Sequence, residues 1–222
     1  RLMTTTVGVV VFPGTNCEMD AVFAVERMGG EGRLLWHADD DLGGVDAVIV
    51  PGGFAHGDYL RPGAIARFSS MMGAVAGFAA DGGPVLGICN GFQVLTEAGL
   101  LPGALQKNSG LRFLCQPTVL RVETSESILT GRASMGAELS VPINHFEGNY
   151  TCDDETLARL RAEDRIVLRY VDNPNGSVDD IAGVCNEGRN VVGLMPHPER
   201  ACDELLGSAD GAVLIGSLLD AA

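Results

Sequence analysis

Short apolar runs rich in valine and isoleucine recur along this chain, and they limit its fold more than any other feature. The clearest are VGVVVF (7–12), DAVIVPGG (46–53), PVLGI (84–88) and NVVGLM (190–195). Runs this short, apolar at nearly every position and bounded by glycine or proline, are typical of strands buried on both faces of a parallel sheet. The run RLLWH (33–37) is predicted to be a further strand.

Segments with helical character separate these runs. After the first run, apolar residues recur at a helical spacing, at Met19, Val22, Phe23, Val25 and Met28. A second helix is predicted over Ile65–Ala80, and FQVLTEAGLL (92–101) begins a third. The alternation of strands and helices predicts an α/β fold, an open, mostly parallel, doubly wound sheet with helices on both faces.

The second half of the chain predicts additional strands and a closing helix. Between Pro117 and Val141, alternating runs such as TVLRV and ELSVP indicate a smaller region of antiparallel strands. Two further strands are predicted at IVLRYV (166–171) and DIAGVC (180–185), and a helix at GAVLIGSLL (211–219). Because 222 residues without a linker or repeat fit one large α/β domain, we expect an N-terminal extension over 1–6 and a single domain over 7–222.

Charge and hydropathy exclude several classes of partner. The chain has 15 basic and 29 acidic residues, a formal net charge of −14, which would repel a phosphate backbone, so we expect no nucleic-acid partner. No apolar run approaches the ~18 residues of a membrane span, and the first residues do not resemble a signal peptide. We therefore expect no membrane contact and a cytoplasmic protein.

The six cysteines are expected to be reduced thiols, because a long chain without secretory features seldom forms disulfides. Cys185, His197 and Cys202 are conceivable metal ligands, but their spacing matches no zinc pattern, and no metal site is predicted.

Among these cysteines, only Cys89 stands in a frame of glycines, in the pattern Gly87-x-Cys89-x-Gly91. This pattern is typical of a nucleophile elbow, a sharp strand-to-helix turn in which small neighbours permit close packing. The run PVLGI would bring Cys89 to the carboxyl end of a strand, and the helix that follows would place its positive end beside the sulfur and favour the thiolate. A buried structural cysteine remains the alternative.

A histidine and a carboxylate follow the last predicted parallel strand, in the sequence MPHPER. The prolines on either side of His197 favour extended backbone, in which His197 and Glu199 point to the same side. A carboxylate there can orient the imidazole and stabilise its charged form, as in a catalytic triad. Taken alone, such a pair is more often a loop histidine beside a surface glutamate.

Acyl chemistry also needs backbone N–H groups that stabilise an oxyanion. The turn PGGF (51–54) could supply one from Gly53, and Asn90, the residue after the cysteine, could supply the other. An ordinary tight turn is the alternative for the glycine pair.

Together, PGGF, GICNGFQ and MPHPE resemble the signature blocks of triad-type glutamine amidotransferases. The chain is similar in more detail to the glutaminase subunits of phosphoribosylformylglycinamidine synthase, through FPGTNCEMD, GDYLRPGAIA (57–66) and the long block over 173–201. This resemblance implies a subunit that hydrolyses glutamine to glutamate and ammonia for de novo purine biosynthesis. It implies that Cys89 forms a glutamyl thioester, that His197 transfers protons, that Glu199 orients His197 and that Gln93 lies near the substrate.

The resemblance also implies partners. Ammonia would pass to a separate synthetase subunit that uses ATP and magnesium to make formylglycinamidine ribonucleotide, and a third small subunit is usual. This chain has no Walker A lysine motif, and no cofactor is expected on it.

The sequence departs from the family pattern at two places, Ala55-His56 and Phe146, neither of them in the triad. His56 and His145 are expected to be polar loop residues. Two alternatives to the glutaminase remain, namely an amidotransferase or thiol hydrolase that serves another pathway, and a non-catalytic regulatory module on the same fold.

Overall fold

The computed structural model describes residues 4–53 and 69–222 of the chain. Eleven strands are assigned in these residues: β1 (Thr6–Val11), β2 (Glu31–Trp36), β3 (Ala47–Val50), β4 (Val85–Ile88), β5 (Ala104–Gln106), β6 (Leu114–Val122), β7 (Glu138–His145), β8 (Asn149–Thr151), β9 (Ile166–Tyr170), β10 (Ile181–Cys185) and β11 (Val191–Leu194). The α-helices in the same residues are α1 (Glu18–Arg27), α2 (Ser70–Ala80), α3 (Asn90–Glu97), α4 (Asp154–Ala162) and α5 (Gly211–Ala221). Short 3-10 turns cover Val178–Asp180, Pro198–Arg200 and Glu204–Leu206.

One half of the large sheet is parallel, and it contains the apolar runs that the sequence singles out. In the described residues the sheet has the order β2-β1-β3-β4-β11-β10-β9-β6-β7. The pairs from β2 to β11 are all parallel. Strands β1, β3, β4 and β11 are almost entirely buried, as continuous apolar runs require. The predicted α/β fold is confirmed.

Helices cover both faces of this parallel half. A methyl group added to Gly32 of β2 would lie 2.9 Å from Val22 of α1, whereas one added to Gly87 of β4 would lie 2.6 Å from Leu95 of α3. Pairing across the sheet puts Gly32 on the same face as Ala47 and Gly87 on the same face as Val50. Since side chains three positions apart on a strand point to opposite faces, α1 and α3 lie on opposite faces. Helix α5 packs beside α1.

The other half of the sheet is antiparallel and continues from the parallel half without a break. The antiparallel pairs follow one another across the sheet: β11 with β10, β10 with β9, β9 with β6, and β6 with β7. The antiparallel strands predicted between Pro117 and Val141 are present, although they extend the main sheet at its edge. A separate two-stranded sheet joins β5 to β8.

Some elements differ from the sequence-based expectations. Strand β1 begins at Thr6, one residue inside the predicted extension, and β2 begins at Glu31 rather than at residue 33. The helix predicted from Ile65 is described from Ser70, after a cap in which the Ser69 side chain accepts the N–H of Met72; its first part lies outside the described residues. The division into an extension and one domain stays a prediction.

Helix α4 was not predicted, although its sequence carries the usual signals. The Asp153 side chain accepts the N–H of Thr156 at 2.7 Å and so caps the helix. Acidic Asp154 and Glu155 occupy the first turn and basic Arg159 and Arg161 the last, as the helix dipole favours. Its low apolar content, with only Leu160 buried, is why hydrophobic periodicity does not detect it.

The close packing of α3 on β11 predicts the effect of a small substitution. A methyl group at Gly193 would overlap the ring of Phe92 and lie 2.7 Å from Leu101. We expect Gly193→Ala to lower the free energy of unfolding by about 1–3 kcal/mol, the usual cost of overpacking, as measured by urea denaturation. The control is Gly77→Ala on the exposed side of α2, where no described atom lies within 4 Å of the added methyl group. This control should be neutral or stabilising by up to about 1 kcal/mol. An equal loss in both variants would contradict the packing argument.

Candidate active site

The turn between β4 and α3 holds Cys89 in a strained conformation. Its backbone has φ 52° and ψ −109°, a region that side-chain-bearing residues rarely adopt. The flanking glycines are required sterically. A methyl group at Gly91 would overlap the carbonyl oxygen of Val50, and one at Gly87 would lie 2.7 Å from the carbonyl oxygen of Gly91. Helix α3 therefore begins in direct contact with the end of β3, as a nucleophile elbow requires.

The Cys89 side chain is 5% exposed and lies at the carboxyl edge of the parallel strands. Its backbone N–H donates to the carbonyl of Leu194 at 2.8 Å, which ties the elbow to the end of β11. Its thiol contacts the carbonyl oxygen of Asn144 at 3.7 Å, near the end of β7. Cys89 is thus placed near the ends of β11 and β7, at the start of α3.

His197 and Glu199 follow β11, and the parallel pairing of β11 with β4 brings them to the same edge as Cys89. Nδ1 of His197 lies 2.6 Å from Oε1 of Glu199, and both side chains are 1% exposed. The backbone N–H of His197 donates to the carbonyl of Pro142 at 2.8 Å, which fixes the histidine against β7. The two side chains meet as expected, but the expected extended backbone was wrong, because Glu199 lies in the 3-10 turn Pro198–Arg200.

Electrostatics favour the charged form of this histidine. Burial by itself lowers the pKa of His197, but the Glu199 carboxylate and the neighbouring Cys89 thiol outweigh it and raise that pKa well above its usual value. Nε2 of His197 is buried and makes no hydrogen bond to any described residue. An imidazolium beside a thiol, with one free N–H, can donate a proton to a leaving group bound between them.

Gly52, the first glycine of the pair after β3, packs against this site. A methyl group at Gly52 would lie 3.0 Å from Cε1 of His197 and 3.3 Å from Cβ of Cys89. Gly53, the predicted oxyanion donor, lies against the loop after β1. A methyl group at Gly53 would lie 2.5 Å from the carbonyl oxygen of Gly14. Sequence reasoning singled out Gly53 and missed Gly52, although the glycine doublet marked both.

Asn90 and Gln93 are tied to each other in the first turn of α3. Nδ2 of Asn90 donates to Oε1 of Gln93 at 2.7 Å, and Nε2 of Gln93 donates to the carbonyl of Glu147 at 2.8 Å. Gln93 thereby links the elbow helix to the loop after β7. The departure at Phe146 lies in that loop, with the Lys107 ammonium 6.0 Å from its ring centroid. Ala55 and His56 lie outside the described residues.

Cys17 is the residue near the site that sequence reasoning missed. It directly precedes α1 and is fully buried. Its Sγ, a ring nitrogen of His197 and a carboxylate oxygen of Glu199 lie within 4.8 Å of one another, the one such group of potential metal ligands in the described residues. Nη2 of Arg200 donates to Cys17 Sγ at 3.1 Å. The available signal was its position in FPGTNCEMD, after the first parallel strand, whose carboxyl end lies at the same edge.

The structure corrects the expectation for His145, which is a buried residue at the end of β7 and not a polar loop residue. Its Nδ1 lies 3.1 Å from Oδ1 of Asn108. Since Nδ2 of Asn108 already donates to the carbonyls of Arg112 and His145, Oδ1 is the acceptor and Nδ1 carries the proton. Burial, together with the charge on nearby His197, lowers the pKa of His145 to about 3.

A cavity of about 470 Å³ opens beside His197, within the size range of small-molecule sites. It is lined by Pro142, Ile143, Asn144 and His197, with Phe23 and Leu206 at its partly exposed margin. The cavity thus adjoins the His197 and Glu199 part of the candidate site, between α1 and β7.

Comparison with known proteins places this geometry in a family. Residues 4–210 match the model of the CobB/CobQ-like glutamine amidotransferase domain. A phosphoribosylformylglycinamidine synthase subunit PurQ from Rubrobacter xylanophilus is 64% identical over 213 residues, which cover 96% of this chain and 97% of that protein. A PurQ subunit from Koribacter versatilis is 54% identical over 224 residues, covering 96% and 97%. This chain belongs to the PurQ family of glutamine amidotransferases.

Solved structures agree with the PurQ assignment. A chain in the structure of PurLQS from Thermotoga maritima is 44% identical, with a TM-score of 0.90, covering 98% of this chain and 99% of that one. A putative GMP synthase component from Thermoplasma acidophilum superposes with a TM-score of 0.68 at 18% identity, covering 100% of this chain and 95% of that one, a likeness of fold alone. No described helix is long and apolar enough to cross a membrane.

The burial of neutral His145 predicts a dependence of stability on pH. The folded protein holds the pKa of His145 at about 3, below the ordinary value of 6.5. Between those two values the unfolded chain binds a proton that the folded chain does not, so stability falls as the pH falls. Urea denaturation should show the wild type losing about 2 kcal/mol more than His145→Asn between pH 7 and pH 5. In this variant the amide nitrogen can still donate to Asn108. Parallel losses in the two proteins would contradict a neutral, buried His145.

Proposed function

We propose that this chain hydrolyses glutamine through a triad of Cys89, His197 and Glu199 and supplies the ammonia to a synthetase in de novo purine biosynthesis. The observation that carries the proposal is the position of Cys89 at a strained elbow, beside an imidazole that is buried and paired with a carboxylate. The similarity to PurQ subunits over 96% of the chain supports the choice of pathway.

In the first step, the Cys89 thiolate attacks the side-chain amide carbon of glutamine. The tetrahedral intermediate carries a negative oxygen, and the backbone N–H groups of Gly53 and Asn90 are proposed to stabilise it. The close approach of Gly52 to Cys89 and His197 supports this role, because it holds the glycine turn beside the nucleophile. Gln93, one turn into α3, is proposed to bind the substrate beside the elbow.

In the second step, His197 donates its proton to the departing ammonia, and a glutamyl thioester forms on Cys89. The raised pKa of His197 supports this role, because the imidazole is protonated when the substrate binds. The neutral imidazole then accepts a proton from water, which attacks the thioester and releases glutamate. Glu199 holds Nδ1 throughout, so that Nε2 faces the reacting atoms.

The partners are proposed from the relatives. The structure of PurLQS from Thermotoga maritima contains a chain that matches 98% of this one, which supports assembly with a synthetase subunit and a third small subunit. ATP and magnesium are then expected on the synthetase, and no cofactor on this chain. A single domain over 7–222 and a cytoplasmic location fit the same proposal.

The proposal is tested by measuring glutamate and ammonia release from glutamine, with and without the synthetase partner. The wild type should release both, fastest in the complex, whereas Cys89→Ala should release neither above background because no thioester can form. Cys152→Ser, which alters a thiol between β8 and α4, is the control and should retain wild-type activity.

A second variant separates orientation from binding. Glu199→Gln keeps the shape of the side chain but removes its charge, so kcat should fall by about 10²- to 10⁴-fold with little change in KM. Release that persists in Cys89→Ala would refute the mechanism. No release by the wild type in the reconstituted complex would favour a non-catalytic module. A wild type that supports a different synthetase would favour another pathway.

A further inference from the structure

Gln93 is held in one orientation by hydrogen bonds at both ends of its side-chain amide. Its Oε1 accepts from Nδ2 of Asn90 at 2.7 Å, and its Nε2 donates to the carbonyl of Glu147 at 2.8 Å. Turning this amide over would set donor against donor and acceptor against acceptor, so the two contacts fix the direction of each atom. Beyond these contacts, Nε2 has a second hydrogen and Oε1 a second lone pair.

The carbonyl of Glu147 is itself held in place, by Asn108. The peptide group that joins Glu147 to Gly148 is planar and trans, so its carbonyl and its N–H point in opposite directions. The carbonyl accepts from Gln93, and the N–H of Gly148 donates to Oδ1 of Asn108 at 3.1 Å. Asn108 therefore acts on Gln93 through a single rigid peptide group, which cannot rotate without breaking both contacts.

Asn108 is a fixed acceptor, because all four hydrogen-bonding positions of its side-chain amide are used. Its Nδ2 donates to the carbonyls of Arg112 and His145, and its Oδ1 accepts from Nδ1 of His145 as well as from the N–H of Gly148. The residue is only 1% exposed. Rotation of this amide would leave several buried polar groups without partners, which is unfavourable.

The peptide groups on either side are fixed as well. The carbonyl of Phe146 accepts from the backbone N–H of Asn108 at 2.8 Å, and the carbonyl of Gly148 accepts from Nδ2 of Asn175 at 2.9 Å. Asn175 is fully buried, and its Oδ1 accepts from the hydroxyl of Ser177 at 2.7 Å, which sets the direction of its amide. Asn175 and Ser177 lie in the motif NPNGS, to which the reaction proposed above gives no role.

We propose that Asn108 is a positioning residue for glutamine binding, which holds the amide of Gln93 in the orientation that the substrate requires. The proposal rests on the proposed function, in which Gln93 binds the substrate. The thiol of Cys89 contacts the carbonyl of Asn144, three residues before Glu147, so the nucleophile and the Gln93 amide adjoin the same stretch of chain. Glutamine bound there meets an amide that is already oriented, and less conformational freedom is lost on binding.

The direct test measures the affinity for glutamine by calorimetry. The protein is the complex with the synthetase, in a Cys89→Ala background that prevents turnover. Asn108→Ala should raise the dissociation constant by about threefold to tenfold, the usual effect of losing one hydrogen bond. An unchanged dissociation constant would overturn the proposal. If Asn108→Ala does not fold, Asn108→Ser replaces it, since a hydroxyl keeps a polar group at this buried position but is shorter than the amide.

Asn190→Ala is the matched control, because it removes a similar set of hydrogen bonds away from the site. The Nδ2 of this asparagine donates to the carbonyls of Ala79 and Gly83, and its Oδ1 accepts from Nδ2 of Asn186. Asn190 directly precedes β11, whereas His197 follows the other end of that strand. The control should bind glutamine with the affinity of the parent complex.

A double-mutant cycle shows whether Asn108 acts through Gln93. In a Gln93→Ala background, Asn108→Ala should have no further effect on the affinity for glutamine, because the amide that it orients is absent. An equal effect in both backgrounds would overturn the proposal, since it would indicate a general loss of structure.

Hydrolysis of glutamine by the complex with Cys89 intact gives a kinetic readout. Asn108→Ala should raise KM by the same factor as the dissociation constant, with little change in kcat, because the nucleophile and His197 keep their positions. A fall in kcat with an unchanged KM would contradict the positioning role. A wild-type complex that binds glutamine without hydrolysing it, yet shows the non-additive loss of affinity, would refute the proposed reaction and support the role of Asn108. A wild-type complex that does not bind glutamine would refute both.

Discussion

The contact between the first turn of α3 and the end of β3 is the constraint on which the whole site depends. A methyl group at Gly91 would overlap the carbonyl of Val50, so the helix can start there only because residue 91 has no side chain. This close approach forces Cys89 into its unusual backbone conformation, at a cost of about 1–3 kcal/mol. The cost is tolerated because β4 is held between β3 and β11 by parallel pairing on both edges.

The buried ion pair places a second demand on the fold. His197 and Glu199 are both almost wholly buried, and removing two charges from water costs several kcal/mol each before their attraction is counted. Such pairs contribute little to net stability. Their presence is therefore better explained by chemistry than by folding, and the surrounding core must provide the stability that the site does not.

Some features of this protein follow from local sequence and others do not. The parallel strands were predictable because burial on both faces requires continuous apolar runs, and the elbow because only glycines permit its geometry. The contact of His197 with Glu199 was predicted, but for the wrong reason, because Pro198–Arg200 forms a 3-10 turn and not extended backbone. The position of Cys17 beside His197 was not, because it depends on contacts between segments about 180 residues apart in the chain. The burial of His145 depends in the same way on Asn108, which comes from a different segment.

Strand β7 shows how a framework element can control chemistry through its backbone alone. Two of its links to the site use main-chain carbonyls, Pro142 to the N–H of His197 and Asn144 to the thiol of Cys89. These two links therefore do not restrict which side chains stand at positions 142 and 144. They do restrict the path of the backbone. Changing either side chain would leave both carbonyls in place, yet inserting one residue between them would move nucleophile and base out of alignment together.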